Sequence, residues 1–110
     1  MKKVTLTCAH AIVKYLIAQK ILIDGKKEPL FPGVFGIFGH GNVACLGQAL
    51  EENQKDLPTY RGHHEQNMAL TGIGYARGKR RQQIFVATSS VGPGATNMVT
   101  AAAVAMSNRL

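Results

Sequence analysis

Two short apolar runs constrain this chain most, because each is closed by a glycine-rich loop and followed by a helix-period segment. Val34-Phe35-Gly36-Ile37-Phe38 leads into Gly39-His40-Gly41-Asn42, and Gln83-Ile84-Phe85-Val86-Ala87-Thr88 leads into Ser89-Ser90-Val91-Gly92-Pro93-Gly94. Short continuous apolar runs bounded by turn residues suit strands buried on both faces. A strand that feeds a helix through a tight loop suits a parallel sheet, since parallel neighbours need a crossover. Leu57-Pro58-Thr59-Tyr60 reads as a further short strand. The 3.6-residue period predicts helices over four stretches. Thr5 to about Lys20 has Leu6, Ala9, Ile12, Val13, Leu16 and Ile17 on one face, with Thr5 or Thr7 as cap. Val43 to Glu52 gathers Val43, Leu46, Ala49 and Leu50. His64 to Arg77 turns Met68, Ala69, Ile73 and Ala76 inward, and Ala95 to Ser107 forms a small-residue helix. Ile21 to Phe31 reads as a polar excursion, with Asp24-Gly25 as a turn and Pro29 and Pro32 as breakers. The alternation predicts an α/β fold of three layers, a parallel sheet with helices on both faces.

A length of 110 residues allows one domain, expected over 1–110. Three strands are few for four helices, and the chain stops at Asn108-Arg109-Leu110, where another strand is due. The expectation is an N-terminal domain cut near its C-terminal end. A 45% hydrophobic content argues against disorder. No apolar run approaches the ~20 residues that span a bilayer. The start, Met1-Lys2-Lys3, is basic like a signal peptide, but Lys14 interrupts the apolar region behind it. These features read as a soluble, cytoplasmic chain with no membrane partner. Cys8 and Cys45 are too few for a disulfide scaffold and are expected reduced and packed as small apolar residues. Thirteen Lys+Arg against six Asp+Glu give a net charge of +7. The cations are scattered, only Arg77 to Arg81 cluster, and aromatics are sparse, so no nucleic acid is expected as a partner.

Three constellations can carry chemistry. Gly39-His40-Gly41-Asn42 lies beyond the carboxyl end of a strand, where open α/β sheets bind ligands. It lacks the third glycine of a dinucleotide fingerprint and the Gly-Lys-Ser/Thr of a phosphate loop, so a plain turn also explains it. Arg61-Gly62-His63-His64-Glu65-Gln66-Asn67 opens a helix. Neighbouring helical residues cannot face one ion, so no metal site is expected, and Glu65 can serve as an N-terminal capping carboxylate. In Thr88 to Asn97, the Gly92-Pro93-Gly94 loop lets backbone approach a ligand where a helix begins. Ser89 and Ser90 lack the context of a nucleophile elbow.

Taken in order, Val34-Phe35-Gly36-Ile37-Phe38-Gly39, then His64-Glu65-Gln66-Asn67-Met68-Ala69 with Gly74-Tyr75-Ala76-Arg77, then Gly92-Pro93-Gly94-Ala95-Thr96-Asn97, the chain resembles the pyrimidine-binding (PYR) domain of thiamine-diphosphate enzymes of the acetolactate synthase and pyruvate oxidase type. Asp24-Gly25, Pro29-Leu30-Phe31, Gly39-His40-Gly41-Asn42-Val43 and Leu46-Gly47-Gln48-Ala49-Leu50 resemble one branch of that family. That branch acts in myo-inositol catabolism and opens trihydroxycyclohexanedione, a cyclic 1,2-dione, to 5-deoxyglucuronate by C–C hydrolysis.

The resemblance implies that Glu65 is catalytic, its carboxyl bonding N1′ of the cofactor's aminopyrimidine. Burial, which disfavours the charged form, would suit that role. It further implies that Gly41, Asn42, Gly92, Pro93 and Asn97 line the pyrimidine pocket and that His40 and His64 can meet substrate. Cys45 stands where the family has glycine. The family's Gly-Asp-Gly…Asn motif, which holds the diphosphate through Mg²⁺, does not occur in these residues. The implied partners are a small-molecule substrate and a second subunit of a homo-oligomer, dimer or tetramer, whose diphosphate domain completes the site. This chain alone is then expected to be inactive. An acetolactate synthase-like carboligase and a stand-alone, non-catalytic binding domain are the alternatives.

Overall fold

The computed structural model describes residues 3–110; Met1 and Lys2, and with them most of the basic start, lie outside the described residues. Helix α1 spans Cys8–Ala18 and is capped by Thr7, whose hydroxyl accepts from the His10 backbone N–H. The helix thus starts at the later of the two expected caps, and Leu6 falls outside it and is exposed. The stretch expected to be a polar excursion instead forms a hairpin. Strands β1 (Lys20–Ile23) and β2 (Lys26–Pro29) pair antiparallel around Asp24 and Gly25. Both turn residues have positive φ, +50° and +77°, the conformation that two-residue hairpin turns require and that Asp-Gly supplies.

Strand β3 (Val34–Gly36) is the centre of a parallel three-stranded sheet, with β4 (Thr59–Arg61) on one side and β5 (Val86–Thr88) on the other. Strands β3 and β5 are each shorter than the apolar run that contains them, and β4 lies shifted past the expected Leu57 to Tyr60, ending at Arg61. Ile37 and Gly62 extend the pairing through N–H bonds to the Thr88 and Gly36 carbonyls. Between β3 and β4, a π-helical turn (Val43–Gly47) runs directly into helix α2 (Gln48–Glu52). Helix α3 (Glu65–Gly78) connects β4 to β5. The expected last helix is two, a single turn α4 (Pro93–Thr96) and helix α5 (Val99–Asn108), separated by Asn97 and Met98.

The travel from β3 to β4 and then back across β3 to β5 places the layers. Right-handed crossovers in opposite directions put their helices on opposite faces. On one face Val34 and Val86 meet α1 and α2 in a core of Val13, Val34, Ala49, Leu50 and Leu57. On the other, Phe35 stacks on Phe85 with ring centroids 4.5 Å apart, and Tyr75 of α3 meets Phe85 edge-on at 4.8 Å. Helix α5 packs beside α3. Helices therefore cover both faces of a parallel sheet, as expected. Gln83, the polar side chain buried deepest among the described residues, accepts from the Tyr75 hydroxyl and donates to the Pro29 carbonyl at 2.8 Å. That satisfied pair ties the hairpin to α3. Across α1 and α2, His10 and Glu52 meet at 2.7 Å, and bonds from His10 and Gln48 hold the Glu52 carboxyl below its usual range.

The basic run after α3 is an exit turn. The Arg81 N–H bonds the Ala76 carbonyl and the Arg80 N–H bonds the Arg77 carbonyl, the paired bonds of a Schellman ending, with Arg80 where glycine is usual. Cys8 and Cys45 are both free, and both are exposed rather than packed. Cys8 occupies the first turn of α1, and Cys45 faces outward from the π-helical turn. Among the described residues no helix is long and apolar enough to cross a membrane.

Two glycines report on this packing in opposite ways. A Cβ on Gly33 would lie 2.7 Å from the Phe85 ring and 2.9 Å from the Pro58 carbonyl, whereas one on Gly74 meets nothing within 4 Å. Gly33→Ala is expected to destabilise the chain by about 1–3 kcal/mol through overpacking. Gly74→Ala, in the interior of α3, is expected to stabilise it by roughly 0.5–1 kcal/mol. Urea midpoints of the two variants moving in opposite directions would bear this out.

Candidate functional site

The three strands end level. Gly36 is in register with Arg61 on one side and Thr88 on the other, so the loops that follow leave from one edge of the sheet. The helices after β3 and β5 lie on opposite faces, which parts their loops and opens a crevice at the carboxyl edge. Asn42 bridges those two loops by donating its side-chain amide to the Ser89 carbonyl at 3.1 Å.

The third loop, Gly62 to His64, delivers Glu65 to the first position of α3. His64 caps the helix, its Nδ1 accepting from the Asn67 N–H at 3.3 Å. His64 thus supplies the side-chain cap, and the Glu65 carboxyl, which meets its own backbone N–H, also turns toward the next loop. It forms one wall of an open cleft with Ser90, Gly92, Pro93, Gly94, Thr96 and Asn97. Asn97 donates its amide to Glu65 Oε2 at 3.1 Å. Gly92 has φ +64°, a conformation glycine adopts without steric cost. Gly94 is buried, and a Cβ there would strike the Ser90 hydroxyl and come within 2.9 Å of Glu65 Oε1. The missing side chain is what lets the loop lie against the carboxyl.

Glu65 is half-buried rather than enclosed. The Asn97 amide, the Glu65 backbone N–H and nearby His64 hold its pKa below the ordinary value, against a smaller opposing effect of burial. In this chain by itself hydrogen bonding outweighs burial, so the carboxyl is held ionised.

Of the residues singled out from sequence, Glu65, Gly92, Pro93 and Asn97 share this cleft. His64 stands at its rim, with Nε2 3.4 Å from the Asn97 amide nitrogen. Asn42 touches the cleft's loop from behind, through Ser89. Gly41 and His40 are exposed on the first loop, apart from the lining, with His40 at φ +47°. Ser90 and Thr96 were not singled out. Sequence alone sets Ser90 aside for lacking the context of a nucleophile elbow, and its signal was the small side chain just before a Gly-Pro-Gly turn. Among the described residues no cluster of His, Cys, Asp and Glu is arranged to hold a metal ion.

The family model described as "Thiamine pyrophosphate enzyme, N-terminal TPP binding domain" matches residues 7–110. The chain is 53% identical over 110 residues to a 3D-(3,5/4)-trihydroxycyclohexane-1,2-dione hydrolase of Geobacillus thermodenitrificans. It is 49% identical over the same length to proteins of that name from Clostridium tetani and Bacillus thuringiensis. Each match covers 100% of this chain and 17% of the relative. No solved structure gives a significant match.

Asn97→Ala should raise the Glu65 pKa toward its ordinary value, read by ¹³C titration of the side-chain carboxyl. The depressed folded value stabilises the fold above the unfolded-state pKa and is lost as pH falls through the folded one. The stability gap between wild type and variant should accordingly be widest at neutral pH and narrow in acid. A gap that persists unchanged in acid would assign the loss to packing alone.

Proposed function

The chain belongs to the thiamine pyrophosphate enzymes, as their N-terminal TPP-binding domain, and from that premise we propose that it supplies the pyrimidine half of a thiamine-diphosphate site in a larger C–C hydrolase. The observation that carries the reading is the Glu65 carboxyl on the cleft wall, with Oε2 held by Asn97 and the Gly92-Pro93-Gly94 backbone beside it. These residues fit an aminopyrimidine. A flat ring needs close backbone on one side, which the Gly92-Pro93-Gly94 segment packed against Glu65 supplies, and a carboxyl at its ring nitrogen. When bound, the cofactor supplies the nucleophile and electron sink for breaking a bond next to a carbonyl.

The chain's own residues have narrower tasks. Glu65 holds or releases a proton at the ring nitrogen, and for this its pKa must rise from the depressed value of the open cleft. Covering the cleft with ring and partner surface removes water and pushes a carboxyl in that direction. Asn97 orients Glu65; Gly92 and Pro93 set the loop against the ring; Gly41 and Asn42 border the pocket from the first loop. His40, exposed on that loop, and His64, at the start of α3, are the imidazoles offered to substrate. The names of the relatives support trihydroxycyclohexanedione as that substrate, and hydrolysis at its 1,2-dione would give 5-deoxyglucuronate. Mg²⁺ and the diphosphate would be held by a diphosphate domain of another subunit in a homo-oligomer, dimer or tetramer, so this chain alone would be inactive. The whole would work in the cytoplasm.

In the complete enzyme, Glu65→Gln should slow exchange of the bound cofactor's C2 proton by at least about 100-fold, the low end for loss of a positioned acid–base group. Exchange at the wild-type rate would overturn the role of Glu65. Turnover of the cyclic dione and not of pyruvate would separate the hydrolase from an acetolactate synthase-like carboligase.

A further inference from the structure

The His64 ring is held between two groups that make opposite demands on it. Nδ1 accepts from the Asn67 N–H at 3.3 Å as the cap of α3. A neutral imidazole has one acceptor nitrogen and one donor, so the cap puts the ring proton on Nε2. That Nε2 faces Asn97 Nδ2 at 3.4 Å, and the same Nδ2 donates to Glu65 Oε2 at 3.1 Å. A carboxylate only accepts, so while Glu65 is ionised the amide must present Nδ2 to it. Donor then faces donor at His64. Either the ring proton moves to Nδ1 and the cap is lost, or the Asn97 contact is lost.

Protonating Glu65 removes the conflict. With the Asn97 amide turned over, Oδ1 accepts from the Glu65 O–H and from the His64 Nε2–H together. Nδ1 still accepts from Asn67. One arrangement satisfies every group, and in it Glu65 carries a proton. The elements packed around Glu65 add no competing charge: α4 and the loop before it face it with Ser90, Gly94 and Asn97, none of which titrates. His64 is the titratable group that acts on it. A charged ring would donate at both nitrogens, so the coupling belongs to the neutral ring.

We propose that His64 is a positioning residue for Glu65, coupled to it through the Asn97 amide so that ring tautomer, amide orientation and carboxyl proton change together. Its value to catalysis rests on the reading of Glu65 given above. There the coupling offsets part of the pull that keeps the carboxyl ionised and helps it hold a proton shared with a ring nitrogen.

The test is the tautomer of His64 in the ¹⁵N-histidine-labelled chain at about pH 8.5, where imidazoles are neutral, with the signal assigned by its loss in His64→Gln. Glu65→Gln mimics the protonated carboxyl, because its amide can donate to Asn97 Oδ1. The substitution should shift the ring toward the Nε2–H form by several-fold relative to wild type. In an Asn97→Ala background the same substitution should have no effect on the tautomer. An unchanged tautomer in Glu65→Gln, or an equal shift without Asn97, would overturn the coupling. Backbone amide spectra report whether each variant is folded. The readout needs no cofactor, so its failure leaves the proposed activity standing, and a failed exchange assay in the complete enzyme leaves the coupling standing.

Discussion

Strand β3 is hydrogen-bonded along both edges, and the site depends on that double pairing. It fixes Gly36, Arg61 and Thr88 in one register and so fixes where three loops begin. The strand is short, and its flanks are small where neighbours press closest. Gly33 lies under the Phe85 ring and beside the Pro58 carbonyl, and Gly36 lies against the Phe38 ring. Apolar side chains cover both faces of the sheet, Val34 and Val86 toward α1 and α2, Phe35 and Phe85 toward α3. The hydrophobic effect thereby selects the register, since a one-residue slip would exchange the two faces.

The cleft is built with few charges. Its single carboxylate is held by the amide of Asn97, between α4 and α5, and by its own backbone N–H. That arrangement favours the ionised form in an open, wet cleft. A role in proton exchange needs the opposite balance, and the groups within reach that can shift it are the Asn97 amide and the His64 ring. The chemistry at this edge is therefore a matter of hydrogen-bond direction more than of ion pairing.

Much of the layer order was legible in the sequence, because the runs at Val34 to Phe38 and Gln83 to Thr88 are short and mostly apolar, the first bounded by Gly33 and Gly39 and the second followed by the loop to Gly92-Pro93-Gly94. The hairpin at β1 and β2 was not. Ile21-Leu22-Ile23 pairs with the lysine-rich β2, which leaves no apolar period to detect; the Asp24-Gly25 turn was the available signal. The break at Asn97 and Met98 was hidden because both residues keep helical φ and ψ. The cysteines were expected inside on residue type alone, but each lies in the first helical turn after a loop, where the backbone is still at the surface. At the site, the motifs around Glu65 and Gly92 to Asn97 marked residues that share one cleft. The partnership of His64 with Asn97 spans 33 residues and was not readable from local spacing.

The level strand ends also set what insertions and deletions this chain can bear. Between Arg61 and Glu65 lie three residues, and a longer or shorter connection would have to displace the His64 cap or the start of α3 that carries the carboxyl. The Gly92 to Gly94 backbone could not follow, because it is anchored to a different strand. The tip at Asp24 and Gly25 has open space around it and carries no such linkage. Length variation among descendants of this sequence should collect at that tip and be purged between β4 and α3, even where the residues themselves drift.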